Sequence, residues 1–342
     1  MGKMHDKLAV GKPYFIAEMS ANHGNDLDVA LRIVDAAAES GADCLKVQTY
    51  TANSLTLDCD KEWFRIKGGL WNGRRLYELY SEASLPYEWH ASILERCLER
   101  GIDFLSTPFD TDAVDFLLDL GVEAFKIASF ELVDIPLLEY AASKGKTMIV
   151  STGMASLEDI QDAMDAMQGV GNEDIVLLRC CSEYPANPAD MNLSSIPDLA
   201  VRFGCHVGFS DHSLGYVADV VAASLGARVI EKHFCLGHDI KTADSDFSMT
   251  PKEYRVMVEA VNAAVDAVGA PCYEPSEKEA ASLVFRRSIF ACSDIAEGES
   301  FTPQNIRVVR PGYGAKPKHY ESMLGKPSDR AYSFGDPIVW EG

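Results

Sequence analysis

The sequence predicts a closed parallel (β/α)8 TIM barrel followed by a small, turn-rich C-terminal module. Three observations carry this. Eight short apolar runs alternate with helix-period stretches, most of the runs end abruptly in polar side chains, and the composition changes after residue 268. The 342 residues suit one barrel of roughly 250 residues plus an accessory unit.

The strand-like runs are Tyr14 to Glu18, Cys44 to Thr49, Phe104 to Thr107, Ala124 to Ser129, Thr147 to Thr152, Ile175 to Arg179, Val207 to His212 and Val229 to Phe234. Between them lie amphipathic stretches such as Asp26 to Ser40, Tyr87 to Arg100, Leu137 to Lys144 and Leu157 to Met167. Gly41, Gly101, Gly121, Gly145 and Gly226 stand where a helix stop needs a residue tolerant of positive φ. An open doubly wound sheet is the alternative, but no G-x-G-x-x-G follows the first run. One insertion interrupts the rhythm: Thr51 to Ser84 carries Trp63, Phe64, Trp71, Tyr77 and Tyr80. So long a loop on the catalytic side of a barrel covers or shapes a site, although a surface helix packing its aromatics on the barrel wall explains most of them.

The expected organisation is a barrel over 1–268, a linker over 269–284 and a compact module over 285–342. Gly269-Ala270-Pro271 opens the linker, and the module reads as short apolar runs separated by turns. The formal net charge of -21 excludes a nucleic-acid binder, yet lysines gathered in a cleft can still hold a small anion. No apolar run is long enough to span a bilayer, so no membrane partner is expected. Nine scattered cysteines without regular spacing read as reduced thiols of a cytoplasmic protein.

Barrel enzymes place their chemistry at the C-terminal strand ends. Those ends offer Glu18, Lys46 with Gln48, Ser106 with Thr107, and Lys126 with Ser129 and Glu131. Ser151 with Thr152, Ser182 with Tyr184, Ser210 to His212, and Lys232 with His233 follow. Lysines as point charges beside hydroxyls are what a phosphate ester bearing a carboxylate requires. Strand alternation puts Ser210 and His212 on one face with Asp211 opposite, and Glu231 and His233 on one face with Lys232 opposite. On neighbouring strands the two imidazoles converge, a pairing that suits a divalent metal with open positions. His23 is expected as a third polar contact near the first tip.

Phe15-Ile16-Ala17-Glu18-Met19-Ser20-Ala21-Asn22-His23, Leu45-Lys46-Val47-Gln48-Thr49-Tyr50, Phe125-Lys126-Ile127-Ala128-Ser129-Phe130-Glu131, Gly208-Phe209-Ser210-Asp211-His212 and Glu231-Lys232-His233-Phe234 resemble the nonulosonic (sialic) acid synthases. Phe285-Arg286-Arg287-Ser288 and Arg310-Pro311-Gly312-Tyr313-Gly314 resemble their antifreeze-like (SAF) domain. Ser20-Ala21-Asn22-His23, Leu55-Thr56-Leu57-Asp58, Gly69-Leu70-Trp71 and Phe247-Ser248-Met249 are most similar to the pseudaminic acid synthase branch. The resemblance implies condensation of phosphoenolpyruvate with an open-chain 2,4-diacetamido-2,4,6-trideoxyhexose, giving pseudaminic acid and phosphate. The N-acetylneuraminate and legionaminate synthase branches are the near alternatives.

By position, the resemblance implies that Lys46, Thr107, Lys126, Ser129, Ser151, Ser182 and Ser210 hold phosphoenolpyruvate. It implies that His212 and His233 bind a divalent metal, manganese in relatives, with magnesium or cobalt as alternatives. Glu18, Gln48, Glu131, Tyr184 and Asp244 meet the sugar, Glu18 also acting as general acid or base. Arg310 reaches the substrate from the tail of a partner chain, which implies a domain-swapped homodimer. Two departures stand in the sequence. Ser182 replaces the Asn common in the sialic acid branch, and Thr242-Ala243-Asp244 lacks the Gly-Pro that often precedes the matching Asp. Two other readings differ in class: a pyruvate aldolase using Lys46 or Lys126 as a Schiff-base lysine, and an ice-binding module on a degenerate barrel.

Overall fold

The computed structural model describes residues 2–68 and 71–340. Gly69 and Leu70 of the Gly69-Leu70-Trp71 motif, and the last two residues expected in the C-terminal module, lie outside the described residues. Eight parallel strands, β1 (Tyr14–Glu18), β2 (Cys44–Thr49), β3 (Asp103–Pro108), β4 (Ala124–Ile127), β5 (Thr147–Ser151), β6 (Ile175–Cys180), β7 (His206–Asp211) and β8 (Val229–His233), close into a barrel in chain order. The seam is a β8–β1 pairing that sets Glu18 opposite His233.

Alternation along each strand divides the apolar residues into two cores. Phe15, Val47, Phe125, Val150, Leu177, Phe209 and Ile230 point outward and pack against helix residues such as Ile33, Val114, Leu138 and Met164. Tyr14, Ile16, Cys44, Leu105, Ile149, Leu178 and Val229 point inward and fill the lumen near the strand starts. A helix that the periodicity does not announce, Gly2–Ala9, adds buried Met4 and Leu8 to this inner core. Its Lys3 and Lys7 ammonium groups hold Asp43 at 3.2 and 2.5 Å. Met4 and Leu8 are the only large apolar side chains in its eight residues, too few to read as an amphipathic helix. Gly41, Gly101, Gly121, Gly145 and Gly226 all take positive φ just beyond a helix, as the stop signals require.

Two boundaries differ from the expected ones in ways that shape the site. β4 ends at Ile127, because Ser129–Glu131 forms a 3-10 turn that carries both side chains over the mouth. β7 ends at Asp211, so His212 stands just past the last ladder position.

The chain divides into two compact units, Met1–Gly269 and Ala270–Gly342. In the second, β9 (Ser288–Ala291) pairs antiparallel with β10 (Ile306–Val309). Ile289, Ile295, Phe301, Ile306, Met323, Tyr332 and Ile338 make its core. Among the described residues no helix is long and apolar enough to cross a membrane.

Candidate active site

Above the apolar lumen, the next inward layer is ionic. Lys46 Nζ lies 2.8 Å from Glu18 Oε2 and 3.5 Å from Glu231 Oε1, and donates to Thr107 Oγ1 at 3.3 Å. Lys126 Nζ donates to Ser151 Oγ at 2.6 Å and to the Ile127 carbonyl at 3.0 Å, and lies 3.9 Å from Glu231 Oε1. Ser210 Oγ donates to the same Glu231 oxygen at 3.2 Å. Two ammonium groups therefore share one carboxylate, whose other oxygen is buried without a hydrogen-bond partner among the described residues.

The charges are mutually adjusted. Burial pulls the Lys46 ammonium down, but Glu18 and Glu231 more than restore it and leave it above its ordinary value. Lys126, held chiefly by burial, falls below its ordinary value despite Glu231. Burial pushes the Glu18 carboxyl up against the pull of Lys46. Burial acts on Glu231 in the same sense, but Lys126, Lys46 and His212 outweigh it and keep it ionised.

One step further out, the His212 and His233 rings face each other with centroids 5.3 Å apart. His212 Nδ1 lies 3.0 Å from the Cys181 carbonyl. Donation there fixes the tautomer and leaves Nε2 as the lone-pair nitrogen. His233 Nδ1 is buried without a partner, and burial, reinforced by the positive charges around it, holds the ring neutral. An imidazole anchored through Nδ1 beside a second, neutral one fits a divalent ion that takes the place of a proton and keeps water or substrate oxygen in its other positions. Among the described residues no group of three or more His, Cys, Asp or Glu side chains gathers as a closed metal site. The Tyr184 ring packs against both imidazoles, tilted at 4.3 Å from His212 and edge-on at 6.4 Å from His233.

The remaining expected residues lie around this centre. Ser129 Oγ accepts from the Gly153 N–H at 3.0 Å. A Cβ on Gly153 would sit 2.2 Å from Ser182 Oγ and 2.7 Å from Ser129 Oγ, so only glycine lets that backbone approach both hydroxyls. Gln48 donates to Glu18 Oε1 at 3.0 Å and to Ser20 Oγ at 3.1 Å. Asp244 Oδ2 accepts from the Ala21 N–H at 3.2 Å. Gln48, Glu131, Ser182, Tyr184, His233 and Asp244 all line one cavity of about 960 Å³. Arg310 belongs to the second unit, where it is exposed.

Some strand-end residues do not join the centre. Ser106, Asp211 and Lys232 face the helix layer: Ser106 meets Thr49 at 2.6 Å, and Lys232 bonds Asp211. Thr152 turns to the Leu178 carbonyl at 3.1 Å. His23, expected as a third polar contact, stands apart from the imidazole pair. It accepts from the Asn25 N–H at 3.1 Å and packs edge-on against Trp89, and burial lowers it to about 4. The expectation of sequence alone left out Glu231 as a site residue, although its shared face with His233 was the signal. It also left out Tyr50, which follows Gln48 at the end of β2 and lines the cavity.

A NeuB family model matches residues 33–273, and a SAF domain model matches residues 286–342. The chain belongs to the NeuB family. It is 46% identical over 327 residues to the pseudaminic acid synthase of Campylobacter jejuni, covering 96% of this chain and 95% of that protein. It is 35% identical to the N,N'-diacetyllegionaminic acid synthase of Legionella pneumophila, covering 96% and 94%. Among solved structures it is similar to the N-acetylneuraminic acid synthetase of Leptospira borgpetersenii in complex with citrate. That match has a TM-score of 0.72 at 32% identity and covers 80% of this chain and 91% of the other. This NeuB-family chain thus carries its ionic lumen and paired imidazoles in a family of nonulosonate synthases, with higher identity to the pseudaminate member than to the legionaminate one.

Proposed function

We propose that the protein condenses phosphoenolpyruvate with an open-chain 2,4-diacetamido-2,4,6-trideoxyhexose, giving pseudaminic acid and phosphate. The observation that carries this is the convergence of Lys46 and Lys126 on Glu231 directly below the His212–His233 pair. Buried ammonium groups supply the counter-charge a phosphate ester needs in a protein of net charge -21. The hydroxyls of Thr107, Ser129, Ser151, Ser182 and Ser210 supply donors for individual oxygens.

His212 and His233 would hold a divalent ion, manganese being the first choice, which as a Lewis acid would polarise the aldehyde oxygen when bound. Glu18 would give a proton to the oxygen formed on attack or orient the water that follows, a role supported by its raised carboxyl and its hydrogen bond from Gln48. The unpartnered oxygen of Glu231 balances positive charge developing at the phosphate-bearing carbon. Gln48, Glu131, Tyr184 and Asp244 meet the sugar. Arg310, exposed in the second unit, is available to reach an acetamido carbonyl from a second copy of the chain, as a domain-swapped homodimer would bring it. All nine cysteines are free thiols, which supports a reducing, cytoplasmic setting.

The test supplies phosphoenolpyruvate with the diacetamido trideoxyhexose and, separately, with N-acetylmannosamine, and identifies the nine-carbon product by mass. Phosphate release with the first sugar, lost in chelator and restored by Mn²⁺, is expected. Turnover of N-acetylmannosamine alone would overturn the assignment, and full activity in chelator would remove the metal.

A further inference from the structure

The cavity wall formed by the insertion and the end of β2 has no part in the bond-forming chemistry. We propose that Tyr50, Tyr80, Phe109 and Glu131 form a corner that recognises the second, more distant acetamido group of the sugar. This rests on the synthase reading above and assigns residues for substrate selection.

Tyr50 is 4% exposed, and its ring stands edge-on to Phe109 at 5.2 Å and to Tyr80 at 6.1 Å. Mutually perpendicular rings lock one another's rotamers, so the corner is preformed. Leu55 and Leu79 from the insertion line the same cavity. The phenolic hydroxyls of Tyr50 and Tyr80 have no hydrogen-bond partner among the described residues. Glu131 likewise leaves Oε2 buried and unpaired. Burial raises both phenols above their ordinary value, which keeps them as neutral donors.

This set is amphipathic in a particular way: carbon-rich ring faces, two donors without acceptors, and one acceptor without a donor. An acetamido group is its complement, with a methyl for the rings, a carbonyl for a phenol and an N–H for the carboxylate. The position along the sugar follows from the chemistry. The aldehyde carbon has to lie at the imidazole pair, so an acetamido group on the adjacent carbon stays under Tyr184. A second one two carbons further along leaves the strand tips and meets the covering segment. A sugar with a hydroxyl there would leave the rings without the methyl and the carboxylate or phenol without its mate, which a site built for hydrogen bonding penalises.

The experiment measures kcat/KM for the diacetamido sugar and for an otherwise identical hexose carrying a hydroxyl in place of the second acetamido group, in wild type, Tyr80→Phe and Tyr50→Phe. Wild type should prefer the diacetamido sugar at least about tenfold. Each isosteric Phe variant should lose about three- to tenfold on that sugar, the worth of one neutral hydrogen bond, with the analogue and the KM for phosphoenolpyruvate unchanged. Equal losses on both sugars, or no preference in wild type, would overturn the corner and leave the synthase reading standing. Absence of phosphate release with either sugar would sink that reading and the corner with it.

Discussion

Glu131 shows how one buried carboxyl links the site to stability. Burial pushes it up to about 7, so between about 4.5 and 7 the folded protein binds a proton there that the unfolded chain does not. Its contribution is therefore fully present below the unfolded value and is lost as pH rises through 7. Glutamine mimics the protonated carboxyl. Glu131→Gln should match wild type in thermal unfolding near pH 4, below the unfolded value, and exceed it at pH 8 by up to about 3 kcal/mol. A difference that is constant across that range would show that the carboxyl is not held up by its surroundings. At this scale much was legible. Strand alternation set Ser210 on the face opposite Asp211, and Glu231 and His233 on the face opposite Lys232, whereas Glu18, Lys46 and Lys126 were legible only as polar strand ends. Tyr50 and Tyr80 were not legible as a pair. Nothing local in either segment announces that 30 residues of insertion fold back to set their rings in contact.

The elements carry a second ionic group on the outer side of the same strands. Lys232 Nζ bonds the Asp211 carboxylate and donates to the carbonyls of Ser213 at 2.7 Å and Gly215 at 2.9 Å. Asp219, from the helix Val217–Ser224, lies 3.7 Å away. All three ionisable side chains are buried, and together they tie β8 to the loop that leaves β7 at His212. The ionic group therefore braces the imidazole pair from behind. Lys232→Met would leave two carboxyls without their cation and should cost about 3–5 kcal/mol in denaturant unfolding. Lys232→Met/Asp211→Asn should recover part of that, because the stranded charge goes with its partner. A single-variant loss below about 1 kcal/mol would show that the group is not bracing the loop. The eight strands were legible to within two residues because their apolar runs are long and their stops abrupt. The helix Gly2–Ala9 was not, since its role is set by the open lumen that Met4 and Leu8 help fill.

Across the whole molecule, charge sets an opposition between approach and binding. A net charge of -21 surrounds a centre in which Lys46 and Lys126 wait for an anion. The long-range field repels phosphoenolpyruvate, whereas the buried ammonium groups act over a few ångströms in a medium that salt does not enter. Raising inert salt from about 0.01 to about 0.1 M shortens the screening length from about 30 to about 10 Å, which weakens the first effect and spares the second. The rate constant kcat/KM for phosphoenolpyruvate should therefore rise with salt, by about two- to threefold over that range, while kcat stays level. An enzyme whose entrance was itself basic would respond in the opposite sense, because salt would screen the attraction that guides the substrate in. A fall in kcat/KM with added salt would thus locate a positive approach path on this acidic protein and refute the view that only the lumen lysines offset its charge.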